Sequence, residues 1–330
     1  YSNLPTHCPE DKITHILKFL APAQHTQFCT MDNLTRANVI RTVGPNHVWC
    51  AHRDNKFQQF GIRIHCFVDH WSRKILGIYA HANTDDPVRI GVYFLQLATL
   101  YGGIPRKVST HYQLEFIDMA NFQLKIAQRY GSFAMDVPVD LDFSTQYQPK
   151  MEALWTRLFK EHHIPAMEII FKEQEQGIYD ENDEIHRQVK ETDYLNRRLL
   201  FLFLWIPLFQ TSLDQWVHRS NGPRTVHSTT LRGPDFSYST PEVCGATNEI
   251  INVPGQDIEL ILQTDYPKRP VMHQHTPDWF HQLATTIQHK MALNLEDTSL
   301  GDVWSIFHEM LPNICAHLPT PSHAQSQGAP

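Results

Sequence analysis

Phe67-Val68-Asp69-His70-Trp71-Ser72-Arg73-Lys74-Ile75-Leu76-Gly77 lies between two apolar runs, and its polar centre reads as a tight turn joining two strands near the start of a sheet. In such a turn Asp69 is expected to bond groups at Ser72 and Arg73, which is a structural role. Working outward, Gly61–Val68 reads as the strand before the turn, Lys74–His81 as the strand after it, and Val48–Ala51 as an earlier strand. Downstream, Asp86-Pro87 opens a helix through Leu100, with Pro87 at its first position and Tyr101-Gly102-Gly103 closing it. Arg106–Thr110 is a short strand, and Phe116–Arg129 carries apolar residues at helical spacing. Strands first and strand-helix alternation afterwards describe a mixed α/β domain.

Beyond this core, residues 132–148 suggest a last strand and a loop. A helical region begins near Lys150 and runs, with breaks near Gly177 and Asn182, to about Arg219. Its most apolar stretch, Leu199–Phe209, contains Pro207 and is too short to span a membrane, so it reads as a buried helix. Glu249–Gln263 is read as a hairpin around Pro254-Gly255, and Trp279–Leu293 and Gly301–Leu311 as amphipathic helices. The expected organisation is a helical lead-in over 1–42, an α/β core over 43–158, a helical extension over 159–242, a mixed region over 243–318 and a disordered tail over 319–330.

The chain of 330 residues is 42% hydrophobic, which suffices for a substantial core. Six scattered cysteines form no C-x-x-C pair and suit a reducing, intracellular compartment, with the nucleus as a candidate location. Residues 1–158 hold 16 Lys and Arg against 13 Asp and Glu, whereas residues 159–330 hold 12 against 22. Phosphate neutralisation supplies most non-specific DNA affinity, so the acidic second half has the wrong sign for a DNA footprint. The phosphate-cradling, dinucleotide, nucleophile-elbow and H-E-x-x-H patterns are all missing from the sequence.

Three further blocks flank the opening stretch: Pro45-Asn46-His47-Val48-Trp49-Cys50-Ala51-His52-Arg53-Asp54-Asn55-Lys56-Phe57, His111-Tyr112-Gln113-Leu114-Glu115 and Met151-Glu152-Ala153-Leu154-Trp155. In this order the blocks resemble the retroviral-type integrase core, and more closely the transposon-derived integrase core-domain proteins common in fungal genomes. That family writes P-N-x-x-W-H-x-D-G-x-x-K-L, then D-G-x-S-R, then D-x-G-x-E after a strand, and a Glu on a helix in a run like I-E-R-L-W. Arg224-Thr225 and Thr240-Pro241 stand where the family's helical extension ends, so the resemblance covers residues 40 to 242. It implies a ribonuclease H-like core, a mixed sheet with flanking helices, followed by a largely helical extension. Active relatives would use Mg²⁺ or Mn²⁺ for DNA integration through a triad of two Asp and one Glu.

On this chain the triad positions carry His52, His111 and Glu152. Strand transfer in this superfamily needs two divalent ions, and Mg²⁺ wants hard anionic oxygens. Two Asp-to-His changes remove two negative charges from a site that must hold about four positive ones. The expectation is a decayed centre, no cofactor, and a nucleic-acid-related or protein-interaction scaffold in place of an enzyme. One rival keeps a metal: His52, His111 and Glu152 could bind a softer transition ion, or relocated carboxylates could hold Mg²⁺. Asp54 would share the face of His52 if its strand continued, and with Glu115 and Glu152 it forms that second set. In the remaining reading the chain is a host protein-interaction module without DNA binding. No membrane is implied, and the oligomeric state is left open.

Overall fold

The computed structural model describes residues 42–82, 86–110, 114–131, 141–142, 149–175, 191–226, 229–267, 274–295 and 297–317. The chain divides into two compact units, Tyr1–Arg41 with Thr145–Glu152, and Thr42–Ser144 with Ala153–Pro330. Of the first unit only residues 149–152 are described, the opening of a helix. The lead-in helices and the C-terminal tail read from the sequence lie outside the described residues.

The second unit is built on a sheet of β1 (Val48–Asp54), β2 (Ile62–Asp69), β3 (Ile75–Ala82), β5 (Lys107–Thr110) and β6 (Leu141–Asp142) in the order β3-β2-β1-β5-β6. β1–β2 and β2–β3 pair antiparallel, while β1–β5 and β5–β6 are parallel. This is the ribonuclease H-like order. The turn between β2 and β3 forms as read: Asp69 Oδ2 accepts from the Ser72 backbone N–H at 2.7 Å and from Ser72 Oγ at 2.6 Å. Its Oδ1 accepts from the Asn46 N–H at 2.7 Å, so one buried carboxylate ties the turn to the chain entering β1. Arg73 takes a left-handed φ of 65° to close the turn. A bulge between Phe67 and Val68 leaves Leu76 as an extra residue in β3.

Side chains alternate across β1. Trp49 and Ala51 join Phe67 of β2 in a core shared with α1 (Pro87–Tyr101) and α2 (Ile117–Tyr130). α1 starts as its sequence demands: Asp86 caps Val88 N–H at 3.0 Å, Pro87 takes the first position, and Gly102 ends it at φ 76°. Cys50, His52 and Asp54 point to the opposite face. There lie residues 153–158 of α3 (Pro149–Leu158), a π-helical turn (Phe159–His163), α4 (Ile164–Glu175) and α5 (Glu191–Asn221). α5 buries the apolar stretch from Leu199 to Phe209, and no described helix is long and apolar enough to cross a membrane.

β7 (Arg224–Val226) and β8 (Thr229–Leu231) form a small hairpin, followed by the short α6 (Pro234–Ser239). The hairpin expected over Glu249–Gln263 is absent. Instead β9 (Ile251–Asn252) pairs with β4 (Gly103–Ile104), and Gly255 opens α7 (Gly255–Asp265). Pro254-Gly255 serves as a helix start because Pro254 supplies a fixed φ at the cap position, where its missing N–H costs nothing. Ile251, Val253, Ile258 and Leu262 complete the core on α1. α8 (Asp278–Lys290) and α9 (Val303–His317) match the two amphipathic helices read from the sequence, with Phe280, Ile287, Phe307 and Ile314 on their buried sides.

Candidate functional site

β1 is longer than its apolar run suggests and continues through Arg53 to Asp54, so His52 sits inside the strand and shares a face with Asp54. His52 is 9% exposed, and its ring meets Trp155 of α3 edge-on, with centroids 6.2 Å apart. Cys66 stands opposite it on β2. Burial, reinforced by the nearby Asp54, pushes the Cys66 thiol far up.

Asp54 accepts a hydrogen bond and has a close imidazole neighbour. Oδ1 accepts from the Lys56 backbone N–H at 2.7 Å, and Oδ2 lies 3.3 Å from His163 Nε2. His163 Nδ1 is 3.1 Å from His162 Nδ1, and His162 Nε2 is 3.0 Å from Ser212 Oγ on α5. These contacts let Ser212 donate to His162 Nε2 and His162 Nδ1 donate to His163 Nδ1. Burial first, then the neighbouring His163 and Arg219, lowers the His162 pKa to about 3, in keeping with a neutral ring. Both adjacent histidines of the π-helical turn are buried.

Glu115 belongs to the other face. It lies in a 3₁₀ turn before α2, with Oε2 3.1 Å from Arg53 and 3.4 Å from Arg63, and Oε1 3.5 Å from His65. Burial pushes its pKa up, but His65 and Arg53 outweigh that and the net shift is downward. The cluster continues through His65 Nδ1 to His81 Nε2 at 2.9 Å, and from His81 Nδ1 to the Ala82 carbonyl at 2.8 Å. Because Arg53 and Asp54 are successive residues of a strand, the structure sends Asp54 and Glu115 to opposite faces of the sheet. The relocated set of Asp54, Glu115 and Glu152 is therefore not brought together.

Glu152 is exposed on the opening turn of α3. His111 lies outside the described residues. Among the described residues no three His, Cys, Asp or Glu side chains are grouped to hold an ion. Two hard dications do not fit the described donors: an imidazole at 52, a carboxylate at 54 bonded to the Lys56 amide, and a carboxylate at 115 bonded to arginines on the far face. Sequence reading missed His162 and His163, since Lys160-Glu161-His162-His163 looks like a solvated helix face. The signal was the four-residue spacing of Leu158, His162, Ala166 and Ile170, all buried on one stripe.

No curated protein matches the chain. The family model described as Integrase core domain matches residues 39–230, more than half of the chain, and takes in the whole five-stranded sheet, the first motif and the helices behind it. The chain therefore belongs to the integrase core domain family.

Proposed function

We propose that this chain is a transposon-derived integrase core whose two-metal centre has decayed, and that it acts as a nucleic-acid-related or protein-interaction scaffold. The observation that carries this reading is His52: where the family writes a metal-binding aspartate, a buried imidazole is packed edge-on against Trp155. An imidazole offers one nitrogen and no negative charge to ions that need several anionic oxygens. Asp54, the carboxylate on the same face, accepts from the Lys56 amide and has His163 Nε2 3.3 Å from its other oxygen. Phosphodiester chemistry in this fold depends on the metal pair to activate one oxygen and stabilise another, so loss of the ligands removes the reaction while the sheet and core remain.

The test is a supercoiled-plasmid assay with purified protein in Mg²⁺ and in Mn²⁺. We expect neither nicking nor strand transfer above a protein-free control. Nicking that depends on the metal and disappears in Glu152→Gln would overturn the reading and show that other groups hold the ions.

A second reading, a protein-interaction module without DNA contact, is favoured by the acidic balance of residues 159–330. The salt dependence of DNA binding separates the two.

A further inference from the structure

β3 is an outer strand of the sheet. An outer strand presents a row of N–H and C=O groups that another strand can pair with, and proteins normally blunt it with Lys, Pro or inward charges. Ile75-Leu76-Gly77-Ile78-Tyr79-Ala80-His81-Ala82 contains no Lys, Arg, Asp, Glu or Pro. Its protection comes from elsewhere in the chain. The Ala80 N–H donates to Gln210 Oε1 at 2.7 Å, and Gln210 Nε2 donates to the Ile78 carbonyl at 2.8 Å. The Ile75 N–H donates to Asn221 Oδ1 at 2.9 Å, and Asn221 Nδ2 donates back to the Ile75 carbonyl at 2.8 Å. Tyr101 Oη donates to the Leu76 carbonyl at 3.2 Å.

A carboxamide presents one acceptor and a donor side by side, as a peptide group does. Gln210 and Asn221 thus occupy the hydrogen-bonding positions of a sixth strand. Their spacing matches that of the strand they cover. The helix from 210 to 221 rises about 16 Å at 1.5 Å per residue, and the strand from 80 back to 75 spans about 16 Å at 3.3 Å per residue. α5 therefore lies antiparallel along the edge with one amide at each end. Asp214 Oδ1, one turn on from Gln210, accepts from Gln210 Nε2 at 2.8 Å and fixes which way that amide faces.

We propose that Gln210 and Asn221 are edge guards that keep β3 closed to strand addition, and that the partner they exclude is β3 of a second copy of this chain. Antiparallel pairing of β3 with itself is isologous, so each copy brings the complementary edge. The groups now held by Gln210 belong to Ile78 and Ala80, whose pairing across a twofold at Tyr79 would match donor to acceptor on both copies. The strand itself carries no charge or proline against such pairing, so what opposes it is α5 and the two amides that hold that helix on the edge.

Two measurements test this. In the parent, hydrogen exchange should protect the Ile75 and Ala80 amides as well as those of inner strands; exchange at the rate of exposed amides would overturn the proposal whatever the variants do. Gln210→Ala with Asn221→Ala should shift the protein by light scattering from the parent's mass to twice that mass, increasingly with concentration. Adding Ala80→Pro to that pair should restore the parent's mass, because it deletes the outward N–H and leaves the β2 side of the strand paired. A double variant that keeps the parent's mass, or association that Ala80→Pro leaves unchanged, would overturn the proposal.

Discussion

His65, His81 and His162 share one property, a ring buried deeply enough that the protonated form is disfavoured. All three are shifted down: His65 by burial against the pull of Glu115, His81 by burial and then by His65, and His162 by burial and then by His163. The unfolded chain takes up protons at these histidines as pH drops through 6.5, and the folded chain does not, so stability is lost as pH falls from 6.5 toward about 3, the value of His162. Glu115 works in the same direction, because its lowered folded pKa contributes stability above the unfolded value that disappears as pH falls through the folded one. Urea midpoints measured between pH 7 and pH 4.5 should decline steadily, with a ceiling of about 1.4 kcal/mol per pH unit for each histidine held neutral. His162→Gln should make the decline shallower. A flat profile would mean that these rings are hydrated or already charged. At this scale the sequence was legible only through motif positions: His52 and Asp54 could be placed on one strand face, whereas 21 histidines offer no mark of which ones the fold takes inside.

Elements whose signals are local are legible in the sequence, and those made by distant partners are not. Asp86-Pro87 and Gly102 state the ends of α1 in chemistry that acts within one helical turn, and the structure uses each group for that purpose. β9 is only two residues long, and what makes it a strand is Gly103-Ile104, far earlier in the chain. No short-range pattern announces such a partner, so Pro254-Gly255 reads as a turn until the pairing is seen. That pairing leaves no room at Gly103: an added Cβ would stand 2.1 Å from the Ile251 carbonyl oxygen. Gly103→Ala is expected to cost about 2 kcal/mol or more, since backbone has to move to admit it. Gly255→Ala, with nothing within 4 Å of the new atom and no positive φ, should change stability little. Paired denaturation curves check both, and equal effects would show that β4 and β9 do not meet in this way.

For the whole molecule, the order of blocks gave the ribonuclease H-like sheet through the family resemblance it carries, whereas periodicity alone supports only a mixed α/β domain. The charge balance was equally legible. With a net charge of −7 and the acidic excess in the second half, binding to random-sequence duplex DNA should be weak, and the logarithm of affinity should fall gently with the logarithm of salt, as for about one or two released counterions. A slope corresponding to about six or more would show that folding gathers the scattered Lys and Arg onto one face, and would favour retained DNA contact over a purely protein-binding role. The strap from β9 to α7 has a consequence for synthesis. Ile251, Val253, Ile258 and Leu262 cover α1, yet they leave the ribosome about 150 residues after it, which is about 10–30 s at ordinary elongation rates. Through that interval a growing chain carries a finished apolar helix with one side bare, so its soluble yield depends on translation speed and on chaperones that shield nascent chains.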